Sequence, residues 1–425
     1  MKNAIVIGGG VIGLSVAQQL LRAGTAVTII DAAPAAGAAS WGNAGHIAIE
    51  QVEPLASWPV LRSAPRRLFS AGGALGLPLS QINRWLPFAC RMGAAAHPDR
   101  VEHGRAALRS LLAAALPAWR SLSEQLGEPA LVRETGHFVV WETEASAAAG
   151  LAAWRSIDVG TARFHECDAG ELRQLAAIMK HPPAGAIRFE NTAQIADLPR
   201  LSEALRAAIV ARNGRMAQGQ VRAIHHQPGS VRVSCDDGAS LDADFAVIAA
   251  GVRSRELLEP FCRPVPLIAE RGYHLQMTDH DWPDLPPVVF EDRSMIVTRF
   301  ESGLRAASFV EFGSPDAPPD PRKWRRLRHH VQALGLPCKD SARHWMGARP
   351  TLPDYLPAIG RLPDAPNDLY AFGHQHLGLT LAAITGELVA QLATHSPTAV
   401  SLSAFDIQRF ARRSARGEPK HKESQ

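Results

Sequence analysis

The sequence predicts an α/β fold accompanied by a second, α+β part, and three stretches carry that prediction. Residues 4–7 are an apolar run, Gly8-Gly-Gly10-Val-Ile-Gly13 follows at once, and residues 11–21 hold apolar side chains at helical spacing. This is the pattern of strand, tight glycine turn and helix. Residues 26–30 form a second apolar run that ends in Asp31, and residues 244–251 read as a buried strand ending in Ala250-Gly251. Between residues 264 and 344 strand patterns dominate instead, which points to an antiparallel sheet roofing a ligand held by the first part.

The first unit has the chemistry of a dinucleotide site. Gly8 permits the turn, Gly10 lets the backbone approach a pyrophosphate with no Cβ in the way, and Gly13 lets the helix pack closely on the sheet. The free N–H groups and positive dipole end of that helix then face the phosphates. Asp31 is placed to accept a hydrogen bond from a ribose hydroxyl, which favours an unphosphorylated ribose. An ordinary βαβ turn also uses glycines; the acid at the end of the next strand is what favours the nucleotide.

Composition narrows the classes. A chain of 425 residues is long for a single core, so two domains are expected. Its net charge of +4 is small for that length and argues against a nucleic-acid partner. Cys90, Cys167, Cys235, Cys262 and Cys338 are scattered, which suits a reducing compartment and gives no zinc-site spacing, so no metal is expected. No stretch reads as the roughly 18 apolar residues that span a bilayer, and the first strand follows the N-terminus with no apolar leader, so a cytoplasmic location is expected. Residues 409–425, with Arg412, Arg413, Arg416, Lys420 and Lys422, read as a solvated basic tail; weak attraction to the inner face of an anionic membrane is the second reading.

Along the chain, residues 32–40 are a small-residue loop that leads into Ser40-Trp-Gly-Asn43-Ala44-Gly45-His46. Small residues let backbone lie against a flat ligand, and Ser40 and Asn43 supply hydrogen bonds to it. From residue 54 prolines break up the pattern, and a helix over 99–126 is expected to kink or divide at Pro117. Strands follow at 136–142 and 162–165, with helices at 145–154 and 169–175. An amphipathic helix at 198–212, strands at 221–225 and 230–235, and the strand at 244–251 are expected to complete the open sheet. The nucleotide domain is then discontinuous, comprising 1–53, 191–262 and 346–408, while 54–190 and 263–345 make a second domain with a helical insertion. Gly373-His-Gln-His-Leu-Gly378 opens a helix running to about residue 394, a second place where negative charge is stabilised.

Several separated segments coincide with one family. Gly8, Gly10 and Gly13 with Asp31, the Ser40 to Gly45 stretch, Ala249-Ala-Gly251, Gly347-Ala-Arg349-Pro350 with Pro353-Asp354 and Ile359-Gly360, and Gly373-His-x-His-x-Gly378 span nearly the whole chain. In these the sequence resembles flavoprotein amine and amino-acid oxidoreductases of the D-amino-acid oxidase and glycine/sarcosine oxidase group, closest to the bacterial D-amino-acid dehydrogenase branch. The resemblance implies a Rossmann-like domain binding FAD non-covalently. It implies that Gly8, Gly10, Val11, Ile12 and Gly13 face the pyrophosphate, Asp31 the adenosine ribose, and Val221 the adenine through its backbone. Ser40, Asn43, Ala44 and Gly45 are then at the phosphate and flavin edge, Ala250 and Gly251 at a strand end beside the cofactor, and Gly373, His376, Leu377, Gly378, Leu379 and Thr380 at the pyrimidine end of the flavin. Arg349 matches the arginine that grips the substrate carboxylate, for which a guanidinium fork is suited, and Tyr273 matches a position over the substrate whose hydroxyl adds to that grip. His46 and His274 fall near the pocket.

What the resemblance implies is oxidation of a D-amino or D-imino acid. The carboxylate sits on Arg349, hydride passes from Cα to flavin N5, and the imino acid hydrolyses to an oxo acid or stays cyclic. Electrons then go to a non-oxygen acceptor, a quinone or a carrier. Asn43-Ala-Gly-His-Ile-Ala48 with Glu50-Gln-Val is similar to D-hydroxyproline or D-proline dehydrogenases, which implies cis-4-hydroxy-D-proline as substrate. A glycine or sarcosine oxidase using oxygen keeps all the same motifs, and a non-catalytic flavin-binding subunit of a larger complex is the reading from a different class.

Overall fold

The N-terminal apolar run becomes β1 (Asn3–Ile7), buried from Ala4 onward, and the glycine turn feeds α1 (Val11–Arg22), which returns to β2 (Ala26–Asp31). In this computed structural model, which describes residues 2–32, 38–227, 229–261, 265–339 and 342–411, β1 lies inside a six-stranded sheet. Its order is Arg215–Gln218, β2, β1, Phe245–Ile248, Asp368–Phe372 and Ala358–Arg361, parallel but for the last strand. Alternate residues of β1 serve two cores. Ala4 and Val6 pack with α1 and the Gly378–Ala393 helix, Ile5 and Ile7 with the opposite layer. This is why a parallel strand reads as one unbroken apolar run.

The helical segment holds α2 (Trp58–Arg67), α3 (Ile82–Ala95) and α4 (Pro98–Gln125). α4 runs undivided through Pro117, so of the kink or division expected from sequence the division does not occur. Its buried stripe, Leu108, Leu111, Leu112, Ala115, Trp119 and Leu122, continues across the proline, and the Trp119 indole donates to the Leu379 and Thr380 carbonyls at 3.0 and 3.1 Å. Tertiary anchors on both sides of Pro117 keep the helix continuous where local propensity would break it.

Two further expectations fail. The strands at 221–235 do not join the open sheet: Val221–Gln227, Ser230–Cys235 and Ser240–Ala243 make a separate antiparallel sheet, one face on Ile5, Ile7 and Ile248 and the other in solvent. The edge they were expected to fill belongs to Arg215–Gln218. Residues Gln375–Ala393, moreover, are long and apolar enough to cross a membrane, although 72% of the most apolar stretch is buried inside the molecule. It is a core helix, so close to α1 that a Cβ on Gly386 would stand 2.7 Å from the Ser15 carbonyl.

The second sheet has nine strands. Ala342–Thr351 is at one edge, followed by Ile268–Met277, Gly303–Gly313, Met295–Phe300, Val288–Phe290, His137–Trp141, Gly185–Phe189 and Phe164–Glu166, with Leu75–Gly76 beside Gly303–Gly313. The expected boundary at residue 346 falls inside the Ala342–Thr351 strand, so Arg349 stands on this sheet. A small third sheet ties β3 (His46–Ile47) to Ala193–Ile195 and Val132–Arg133. One irregularity matters for the site: Arg271 pairs with Glu311 but Tyr273 with Ser308, so the Gly303–Gly313 strand carries one extra residue, and Phe309 takes φ +70°.

Candidate active site

A cavity of about 1040 Å³ is lined from both large sheets, from the glycine turn at one end to Arg349 at the other. The turn is built on backbone contact. A Cβ on Gly8 would overlap the Ala249 carbonyl, one on Gly13 would overlap the Gly8 carbonyl, and one on Gly9 would overlap the Asp31 carboxylate. Gly9 is therefore closely packed too, against a side chain where Gly8 and Gly13 meet backbone, and the spacing rule read from sequence had no place for it. Gly10 faces only Ser40 Oγ, at 3.1 Å from such a Cβ. Ser40 Oγ in turn accepts from Val11 N–H at 3.0 Å and caps α1 from outside.

Burial fixes the loop over residues 38–48. Asn43 Oδ1 accepts from Gly45 N–H at 2.8 Å, and the Arg305 guanidinium donates to the Asn43 and Trp41 carbonyls at 2.5 and 3.2 Å. His274 donates from Nδ1 to the Gly42 carbonyl at 3.0 Å and stacks on Trp345 with centroids 4.8 Å apart. Burial, and then Arg305, hold His274 down to about 3, so it is a neutral positioning residue. Burial also brings Arg305 down to about 10, and its charge is held by the two loop carbonyls. Arg305 and Trp345 were not singled out from sequence, since nothing local marks an arginine or tryptophan on a strand as a loop clamp.

Across the cavity stands Arg349. Its guanidinium donates to Glu270 Oε1 at 3.1 Å and to the Phe309 carbonyl at 3.3 Å, the carbonyl that the bulge turns toward it. Glu270 is itself fixed: Oε2 accepts from Thr351 Oγ1 at 3.1 Å and from the Tyr355 hydroxyl at 3.2 Å. Gly272 leaves room, for a Cβ there would overlap Arg349. The guanidinium is thus preorientated, with 27% of the side chain still exposed toward a ligand.

Tyr273 also lines the cavity, but its side chain does not share the Arg349 face. Register pairs Glu270 with Arg349 and Gly272 with Gly347, while Arg271 and Tyr273 alternate to the other side of the sheet. There the Tyr273 hydroxyl donates to Glu311 Oε1 at 2.8 Å and accepts from Arg271 at 2.8 Å and from Asp320 N–H at 3.2 Å. Its hydroxyl is committed to a buried ion cluster with Lys323, not to a substrate carboxylate.

His46 does line the cavity. Its Nε2 is 3.9 Å from Glu50 Oε2 and its ring is 4.3 Å from that of His137, while His137 Nδ1 pairs with Thr192 Oγ1 at 2.7 Å. Burial lowers His46 to about 4 and raises Glu50 to about 8, so between those values the pair is uncharged. On the Gly373 loop, His376 Nε2 pairs with Gln51 Oε1 at 2.5 Å, and burial lowers it to about 4.

Of the residues expected at the cofactor, Gly8, Gly10, Val11, Ile12, Asp31, Ser40, Asn43, Ala44, Val221, Ala250, Gly251, His376, Gly378 and Leu379 line the cavity. Gly13, Gly45, Gly373, Leu377 and Thr380 do not; they hold its walls. Gly45 makes room for the Phe300 ring, Gly373 turns at φ +78° against Leu352, and Thr380 Oγ1 accepts from Ala48 N–H at 3.0 Å.

A family model described as FAD dependent oxidoreductase, DAO, matches residues 3–392. This chain belongs to the DAO family. A D-amino-acid oxidase of Bradyrhizobium diazoefficiens is 30% identical over 417 residues, covering 96% of this chain and 99% of the relative. A D-amino acid dehydrogenase of Xylella fastidiosa is 27% identical over 420 residues, covering 96% and 95%. Among solved structures, glycine oxidase from Geobacillus kaustophilus superposes with TM-score 0.69 at 20% identity, covering 96% of this chain and 99% of that one. L-proline dehydrogenase from P. horikoshii gives 0.69 at 16% identity, covering 97% and 98%. These two likenesses concern the fold alone. The DAO-family chain is an FAD-dependent oxidoreductase. Its residues fit that cofactor: the glycine cradle leaves no room for a Cβ at Gly8, Asp31 stands beside Gly9 on the cavity wall, and the orphaned His46 Nε2 and Glu50 Oε2 mark a polar wall that protein groups do not satisfy.

Proposed function

We propose that the enzyme oxidises the Cα–N bond of a D-amino or D-imino acid and passes the electrons to a non-oxygen acceptor. FAD, when bound, supplies the two-electron sink for the Cα hydride. The observation that carries the reading is Arg349, held by Glu270 and the Phe309 carbonyl, facing the same cavity as the glycine turn. A carboxylate taken bidentately there has its α-carbon position fixed by two bonds. Glu270 keeps the guanidinium from swinging when the site is empty of substrate. Neutral His46 and protonated Glu50 leave that wall without net charge, which suits an uncharged amine better than an ammonium. The resulting imine hydrolyses, or stays cyclic for a proline-like ring; cis-4-hydroxy-D-proline is the proposed substrate within this class. A cytoplasmic location fits this reading.

Anaerobic mixing with D- and L-amino acids, the hydroxyprolines included, tests this by loss of the oxidised flavin absorbance. D-substrates should bleach it, and Arg349→Lys, which keeps charge but loses the fork, should lower kcat/KM by about 10²-fold. Bound flavin that no amino acid reduces would refute the reading. Turnover on cis-4-hydroxy-D-proline no better than on D-alanine would remove that refinement. One observation favours oxygen as acceptor instead: the 30% identical relative is an oxidase. Hydrogen peroxide formed in step with substrate loss would decide for it.

A further inference from the structure

The loop that lies along the cavity has neither helix nor strand from Asn43 to Gly45, yet its peptide groups are not left to turn. Three carbonyls in succession are taken by the second sheet: Trp41 and Asn43 accept from Arg305 at 3.2 and 2.5 Å, and Gly42 between them accepts from His274 Nδ1 at 3.0 Å. Arg305 is itself held in place. Its Nε donates at 2.8 Å to Gln276 Oε1, from the residue paired with it on the neighbouring strand, and its guanidinium stands 4.8 Å from the centre of the Phe300 ring. The residue is 6% exposed and makes no ion pair among the described residues, so its charge is directed at backbone oxygen.

The consequence falls on the next peptide group. No described peptide bond is cis, and in a trans peptide the C=O and N–H point opposite ways. Because the Asn43 carbonyl faces Arg305, the Ala44 N–H faces away from it. Ala44 lines the cavity and Arg305 does not, so the arginine stands behind the loop and the N–H is turned to the cavity side. Of the three N–H groups at 43–45, that of Asn43 donates to the Ser40 carbonyl at 3.2 Å and that of Gly45 to Asn43 Oδ1 at 2.8 Å, while that of Ala44 has no acceptor among the described residues. A peptide donor left open on a cavity wall and fixed from behind is preorganised for an acceptor atom of the ligand.

We propose that Arg305 is a positioning residue for FAD: by holding the Asn43 carbonyl it fixes the Ala44 N–H as a donor to the cofactor. It acts through the loop. The inference uses the cofactor site alone and stands whichever substrate and acceptor the enzyme takes. Release of FAD from the full-length holoenzyme, followed as the fluorescence of freed flavin after dilution, tests it. Arg305→Met keeps the apolar stem but leaves both carbonyls unheld, and should release FAD about tenfold faster. Arg305→Lys, which reaches one carbonyl, should fall between the two. Ala44→Pro removes the donor itself and should match Arg305→Met; the residue before it tolerates a proline, since Asn43 already has φ −64° and ψ 158°. As a control, Lys323→Met breaks the buried ion pair with Glu311 away from the loop, and should lower Tm while leaving FAD release unchanged.

Three results would overturn the inference. Arg305→Met releases FAD at the wild-type rate; Ala44→Pro retains FAD normally, which leaves the donor without a role; or Lys323→Met speeds release as much as Arg305→Met, which traces the effect to lost stability. Should Arg305→Met not fold, Arg305→Lys and Ala44→Pro make the same comparison.

Discussion

Glu50 and His46 meet as neutral groups, and their titrations give this site its own pH behaviour. Burial raises Glu50 to about 8, so the folded protein holds a proton that the unfolded chain releases near pH 4.5; stability from this group is present below that value and lost as pH rises to about 8. His46 works oppositely: lowered to about 4, its contribution is present above pH 6.5 and lost as pH falls toward 4. Glu50→Gln removes only the first effect. Its Tm relative to wild type should rise between pH 5 and pH 8.5, and a difference independent of pH would contradict the assignment. At this scale the sequence was legible where a residue acts through its own backbone, as the glycine turn does. It failed for Tyr273, because which face of a strand a side chain takes depends on register, and register here is set by pairing with residues 303–313 and 342–351. Gly9 escaped for a related reason: its constraint is the Asp31 carboxylate, distant in sequence.

At the scale of elements, periodicity located helices and strands well but not the sheets they join. Residues 221–235 alternate apolar and polar as a half-exposed strand should, and that pattern does not say which apolar surface will cover it. Arg215–Gln218 took the sheet edge with little apolar character, paired to β2 by backbone and adding only Met216 and Ala217 to the cores. α4 shows the converse, a strong local signal overruled. Pro117 is exposed, so an alanine there gains a backbone donor and disturbs no packing. Pro117→Ala should therefore stabilise by about 1–3 kcal/mol in denaturant unfolding, and no gain would mean that the helix had already adapted fully to the ring.

For the molecule as a whole, the cavity lies between two sheets that share one core and each keep a further cluster of their own. A cofactor bound along it touches both, and its binding energy adds to the folded state of each. Removing FAD should lower the apparent Tm, and adding it back should restore it in a concentration-dependent way, with about 2.7 kcal/mol of added stability at a hundredfold excess over Kd. A Tm indifferent to FAD would mean that the cavity is not where it binds. The bulge at Phe309 has one more implication. The Gly303–Gly313 strand stays paired with Ile268–Met277 on both sides of it, so a strand one residue shorter would keep Arg271 opposite Glu311 and Tyr273 opposite Ser308. The sheet has no use for that spare residue, since its carbonyl serves Arg349. Length variation at this one position would thus leave the architecture intact and retune the grip on the substrate, which makes a single-residue deletion, and not only substitution, a route to altered specificity.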